Sequence, residues 1–492
     1  MAGTIGIWHS VFAASQLRRD KSAFRLRCFA ASPRQAGIRG FFSARACLIL
    51  IGILFFSDVP ARAAVFHPDT FTLANGLQVV VVQNRLSPAV SQMVWYKAGA
   101  ADEIAGHTGL AHYLEHLMFK GTPNIPAGAF SRIVAEMGGN DNAFTGHDST
   151  AYYETVAADK LGAIMQMEAD RMQNLRITPE TASTELQVVL SERQERTGNS
   201  PQGLFQEKVR SVLFPRHPYG RPVIGLQEDI ARATVEDARE FYEHYNAPNN
   251  AIVVISGNVE LGDVMRLAAG TFGCVPQRSV PARAGFPALS LPLEQRVEMK
   301  DARVQQAHVQ VHVVVPSYAT QKGREAYALE VLAEALGGGE VGILYKELVL
   351  RQKVASGFDV NYDPQMRGPS DFTLIATPQP GKTIEELESA LDGALRRLAS
   401  QGIDGATIAA ARGRLSRAAV FARDSLTAPG KVFGDALTTG GSVEDVEKWP
   451  SRIRRIGPKD VNAALRKFVR NPHRVTGVLM PVFNEGAVHE TP

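Results

Sequence analysis

The sequence predicts an α+β protein made of two homologous halves. Three observations carry that expectation. Strand-like and helix-like stretches follow one another in a definite order over residues 77–257, and a similar order restarts at residue 307. A proline-rich stretch with Pro276, Pro281, Pro287 and Pro292 separates the two runs. The first run alone contains His112-Tyr113-Leu114-Glu115-His116, and the second has apolar residues such as Leu329, Val331 and Leu332 on the matching helix.

The elements follow in turn. Residues 77–82 and 91–96 are rich in Val and aromatics and read as strands. Residues 109–119 have helical periodicity, with Leu110, Leu114, Leu117 and Met118 as an apolar stripe. A second helix over 129–137 stops at Gly138-Gly139, and 149–156 is a further strand. Helical patterns occupy about 158–174 and 179–197, the second opened by Thr178-Pro179-Glu180. The strand 251–257 closes the half. Beyond the linker, 307–315 matches the strand before the first helix and 325–336 matches that helix, ending at Gly337-Gly338-Gly339. His308 and His312 are read as strand residues rather than ligands. The expected divisions are a leader over 1–63, a first domain over 66–275, a linker over 276–294 and a second domain over 295–484.

Two imidazoles four residues apart share one helix face, the spacing that lets both reach one zinc ion. Glu115, one residue before the second imidazole, is placed to take a proton from a metal-bound water. A catalytic zinc site needs a third protein ligand and an open position. Glu185 and Glu192 stand two helical turns apart and share a face. As isolated residues they would be a solvated acidic stripe. Opposite the His pair, one can ligate metal and the other can hold a ligand imidazole from behind.

These residues together resemble the pitrilysin/insulinase family of inverted zincins. The similarity is to its short branch, which includes the mitochondrial processing peptidase and bacterial two-subunit peptidases. Glu192 falls 76 residues after His116, where the family places its third ligand, and Glu185 falls where the family has a helper glutamate. Further matching stretches are 70–77 with Asn75-Gly76 as a tight turn, 117–122, His217-Pro218-Tyr219-Gly220 and 245–250. The resemblance covers roughly residues 66–430. It implies two α/β-sandwich halves, each a mainly antiparallel sheet covered by helices, enclosing a chamber. It also implies one Zn2+ per chain held by His112, His116 and Glu192, with Glu185 behind them. Glu115 would be the catalytic base of an endopeptidase acting on extended peptides or small unfolded polypeptides. Asn142, Ala143, Phe144 and Thr145 would form the strand on which a peptide lies by β-augmentation.

One departure bears on partners. Family members that act alone carry an Arg and a Tyr seven residues apart in the second half. Here Arg351 is in place, Phe358 stands at the Tyr position without a hydroxyl, and the Ser-Arg pair usual after the glycine run is missing from 340–344. The implied partner is a related subunit that supplies the Arg/Tyr pair, or a second copy of this chain. The competing expectation is a non-catalytic or weakly active scaffold subunit of such a heterodimer. A purely structural zinc site is disfavoured, because such sites use four protein ligands and favour Cys.

The 492 residues carry a formal charge of +3. Residues 1–63 hold nine Lys/Arg and two Asp/Glu, so the remainder is mildly acidic and offers no basic footprint for nucleic acid. Of three Cys, Cys28 and Cys47 lie in the leader, so Cys274 has no intrachain partner after cleavage. The apolar run 46–57, followed by Ala61-Arg62-Ala63, fits a secretory signal cleaved near Ala63. The run is short for a membrane span, so none is expected in the mature chain. Export to the periplasm or beyond is the expectation. The alternative is a mitochondrial matrix protein, since residues 1–45 are Arg- and Ala-rich with Asp20 the one acidic residue. A start downstream of Met1 is a third reading.

Overall fold

The computed structural model describes residues 65–482 apart from residues 292 and 322. The leader, with its cleavage position near Ala63, lies outside the described residues.

The first sheet comprises β1 (Asp69–Thr72), β2 (Gln78–Gln83), β3 (Ala89–Tyr96), β4 (Asn140–Thr145), β5 (Thr150–Ala157) and β6 (Ala251–Gly257). Their order is β1-β2-β6-β3-β5-β4, antiparallel except for β2 against β6. The valine run of β2 and the Ile-Val-Val-Ile of β6 are buried on both faces, which is why they read as continuous apolar stretches rather than alternating ones. The helices of this half are α1 (Leu110–Leu117), α2 (Ala129–Glu136), α3 (Leu161–Asn174), α4 (Pro179–Arg193), α5 (Pro201–Leu213), α6 (Gln227–Arg232), α7 (Val235–Tyr245) and α8 (Leu261–Gly270).

The second sheet comprises β7 (Gln295–Asp301), β8 (His308–Val315), β9 (Ala355–Tyr362), β10 (Ser370–Pro378) and β11 (Arg474–Pro481). Its order is β7-β11-β8-β10-β9, again antiparallel except for one pair, β7 with β11. The longer helices are α9 (Glu325–Gly337), α10 (Ile384–Gln401), α11 (Gly405–Arg423), α12 (Ala428–Thr438), α13 (Val443–Arg454) and α14 (Pro458–Val469). Strand for strand, β2-β6-β3-β5-β4 corresponds to β7-β11-β8-β10-β9. The expectation of two homologous halves, each a sheet covered by helices, is met. Leu329, Val331 and Leu332 of α9 are core residues, at most 2% exposed.

Two helices cross over. One face of the first sheet, with Val79, Val81, Val94 and Tyr96, packs on its own helices. The other face, with Val80, Val82, Met93, Trp95 and Val254, joins the core of the second half. There α12 lies over β3 and β6, Trp95 Nε1 donates to the Gly430 carbonyl at 3.1 Å, and the backbone of Gly434 touches the Trp95 indole. Reciprocally, Phe205, Val209 and Leu213 of α5 are buried against Val297, Val475 and Leu479 of the second sheet. Gly477 of β11 makes room, since a Cβ there would come within 2.7 Å of the Phe205 ring. Each such buried side chain contributes about 1.5–3 kcal/mol, so the exchange stabilises both halves at once.

Candidate metal centre

The site starts at the beginning of α1. Gly109 adopts φ +92, and a Cβ there would meet the Ile224 carbonyl and the Ile230 side chain at 2.7 Å, so glycine is required twice over. Buried Glu103 accepts from the Gly109 and Ala111 backbone N–H groups, each at 2.9 Å, and so caps a helix whose own N-cap has no side chain. The apolar stripe is buried as its spacing predicts, with Leu110, Leu114, Leu117 and Met118 all in the first core. Tyr113 donates to the Ala182 carbonyl at 2.5 Å, tying α1 to α4. That helix begins where expected, at Pro179 behind a Thr178 cap. Its α-helical part ends at Arg193, earlier than the expected 197, and continues as a π turn over Gln194–Gly198.

The crossing brings His112, His116 and Glu192 together, with one donor atom from each within 4.8 Å of the others. It is the one such group among the described residues. Glu192 Oε2 lies 3.2 Å from His116 Nε2 and 3.7 Å from His112 Nε2. Glu185 Oε1 lies 2.9 Å from the other nitrogen of His116, Nδ1. A carboxylate only accepts, so Nδ1 donates to Glu185, and Nε2, on the side of Glu192 and His112, is the nitrogen left to face a metal. Burial holds the His112 imidazole down at about 3, with His116 and Arg196 adding to the effect, so it is neutral as a ligand must be. For His116 the desolvation that lowers it is outweighed by the Glu185 hydrogen bond and the carboxylates of Glu192, Glu185 and Glu115. Two imidazoles and a carboxylate converging with no fourth protein donor suit Zn2+ with an open position.

Glu115 is on the same helix, largely withdrawn from water. Burial raises its carboxyl, opposed by a hydrogen bond from Thr145 Oγ1 at 2.5 Å. Thr145 ends β4, the edge strand of the first sheet. Of the four residues assigned to a peptide-binding strand, Thr145 is therefore turned to Glu115. Phe144 packs edge-on against Trp95 with ring centroids 5.2 Å apart, and the exposed Asn142 accepts from the Ala143 backbone through its own side chain. Their common strand has one side unpaired within the described residues.

The structure also shows contacts that the sequence reading did not assign. Lys120 makes an ion pair with Glu185, and the pair with His116 and Lys120 holds that carboxyl below its usual range against its own desolvation. Arg196 holds Glu192 Oε1 at 2.7 Å, leaving Oε2 for the imidazoles. Both stand four residues after a site residue, a helical spacing that could have flagged them. Glu103 left no comparable signal, because its role depends on a loop folding back onto α1. Arg351 is 68% exposed and paired with Glu347, while Phe358 is buried in β9. Neither approaches the His–His–Glu group through any contact among the described residues.

Fold and donor set are those of the zinc peptidase class. The chain belongs to the insulinase (M16) peptidase family: its residues 78–226 match the insulinase peptidase domain and residues 232–415 the family's inactive domain. It is 30% identical over 364 residues to the zinc protease PqqE of Helicobacter pylori, covering 73% of this chain and 81% of that protein. It is 28% identical to an uncharacterized zinc protease of Mycobacterium leprae, covering 81% of this chain and 88% of the relative. Among solved structures, a protease from Helicobacter pylori superposes with a TM-score of 0.79 at 27% identity, over 85% of this chain and 100% of that one. The periplasmic protease PqqL from Escherichia coli shares the fold, with a TM-score of 0.73 at 16% identity. The match covers 84% of this chain but 47% of PqqL. No helix among the described residues is long and apolar enough to cross a membrane.

Proposed function

We propose that the chain is a zinc-dependent endopeptidase acting on extended peptides or small unfolded polypeptides. The observation that carries this reading is the convergence of His112, His116 and Glu192 beside a half-buried Glu115 held by Thr145. His112, His116 and Glu192 would hold one Zn2+, which when bound polarises the peptide carbonyl and acidifies water. Glu115 takes the proton from the attacking water and delivers it to the amine that leaves. Thr145 keeps the Glu115 carboxylate aimed during both transfers. Glu185 fixes the His116 ring and Arg196 fixes the Glu192 carboxylate. The open side of β4 binds the peptide backbone as an added strand, with the residues around Asn142, Ala143 and Phe144 meeting its side chains. The test is Glu115→Gln: hydrolysis of a quenched fluorescent peptide should be lost while zinc content is retained. Full activity in that variant defeats the mechanism.

The state of Arg351 and Phe358 supports a partner. A surface Arg paired with Glu347 and a buried Phe without a hydroxyl supply nothing to a transition state. A related chain bearing an Arg and a Tyr would complete the active site, or a second copy would do so with lower activity. The weakly active scaffold reading rests on the same observation. Restoration of activity on adding an Arg/Tyr-bearing relative favours the enzyme pair; hydrolysis that stays absent with zinc bound favours the scaffold. Export after cleavage near Ala63 fits the periplasmic setting of PqqL, and N-terminal sequencing of the secreted chain tests it.

A further inference from the structure

The second half contains a cavity of about 770 Å3 at the start of α9, bounded by α13 and the loop between α12 and α13. Its origin is a difference between the halves. The loop from α5 to α6 is residues 214–226, and its counterpart from α12 to α13 is only residues 439–442. In the first half the longer loop fills the space over α1. Gly225 packs against the backbone of Thr108 and Gly109, and the Tyr219 ring sits 5.1 Å from His147 and 4.7 Å from His217. The shorter loop leaves the equivalent space open over α9.

The walls of that space are aromatic. Tyr318 and Tyr327 stack with centroids 4.6 Å apart at 31°, and Trp449 lies beside them. The acids that line it are engaged: Glu330 Oε2 accepts from Tyr318 and Trp449, and Asp445 accepts from Ser442 and from Arg452 at 2.6 Å. Arg455 at the mouth is exposed, and its guanidinium makes no hydrogen bond or ion pair among the described residues. Arg324 and Arg452, which also line the cavity, are paired with Asp460 and Asp445, so Arg455 is the lining arginine left without an acidic partner among the described residues, and an anionic ligand is drawn to it.

We infer that this cavity binds an aromatic carboxylate, its ring against the tyrosines and Trp449 and its acid group paired with Arg455. The volume lies within the roughly 300–1,000 Å3 of small-molecule sites. Aromatic walls favour a planar ring. An arginine fork suits a carboxylate geometrically. The same chemistry occurs in a free aromatic acid and in a polypeptide that ends in an aromatic residue.

Calorimetric titration of the full chain tests this with N-acetyl-phenylalanine, with its amide, and with a hexapeptide ending in Phe, the last against the Glu115→Gln chain so that it stays intact. The acid should bind once per chain and the amide about tenfold more weakly, the usual effect of losing a charge-assisted pair. Arg455→Gln should bring the acid to the level of the amide. Ala319→Trp, on the exposed rim of the cavity, should remove binding of both without altering zinc content or thermal unfolding. Tighter binding of the hexapeptide assigns a polypeptide terminus, and equal binding assigns the free acid. Absence of binding at millimolar ligand, equal affinity for acid and amide, or undiminished binding in either variant overturns the inference.

Discussion

Glu185 Oε1 stands 2.9 Å from His116 Nδ1, on the side of the ring away from Glu192. Lys120 pairs with the second oxygen of the same carboxylate, so the glutamate is fixed from both sides before it fixes the histidine. Glu185→Gln keeps the shape but weakens the acceptor and releases Lys120. Zinc affinity, measured by competition with a chelator, should fall about 10–100-fold while the fold is retained.

Thr145→Val removes the hydroxyl that holds Glu115 and leaves its volume in place. Peptide hydrolysis should fall roughly tenfold in kcat, the worth of one hydrogen bond to a charged group, with zinc content unchanged. A loss of zinc in this variant would instead make Thr145 part of metal retention.

Gly434→Ala forces a methyl into the Trp95 indole, where α12 crosses onto the first sheet. Overpacking of this kind costs about 1–3 kcal/mol, and thermal unfolding should shift down accordingly. Gly440→Ala, whose Cβ would meet nothing within 4 Å, reports the strain of a positive φ alone and serves as the comparison.

Burial raises the Asp363 carboxyl to about 6, with Asp148 adding and the Gln365 N–H opposing. The folded chain thus keeps a proton that the unfolded chain releases near 4. This group's contribution is full below that pH and is lost as pH rises through about 6. Asp363→Asn should stabilise the chain at pH 8 by about 2 kcal/mol, allowing for partial exposure, and make almost no difference at about pH 3. Denaturant unfolding at the two pH values checks the sign.

The order of elements was legible because period-2 and period-3.6 apolar patterns are local. The His112/His116 pair was legible because a helix turns a spacing of one turn into a common face, whereas Glu185 and Glu192 share a face that spacing alone reads as a solvated stripe, and only the family resemblance set them opposite the histidines. The crossover of α5 and α12 was not legible. Phe205, Val209 and Leu213 form an ordinary apolar stripe, and a stripe does not say whose sheet it covers. The contact of Thr145 with Glu115 was hidden for a related reason, since it depends on how β4 passes α1. The π turn after Arg193 was read as plain helix because its composition is helical throughout.

The exchange of α5 and α12 also makes each half depend on the other. Either half by itself would present an uncovered sheet face and a helix with nothing to lie on. Two copies of one half could satisfy both needs by trading helices about a twofold axis, as isologous dimers do. The present chain has the form of such a dimer joined by a linker, with the His112/His116 pair in one half alone. Such an arrangement predicts that the two halves, expressed as separate polypeptides, assemble with each other and that neither persists folded alone.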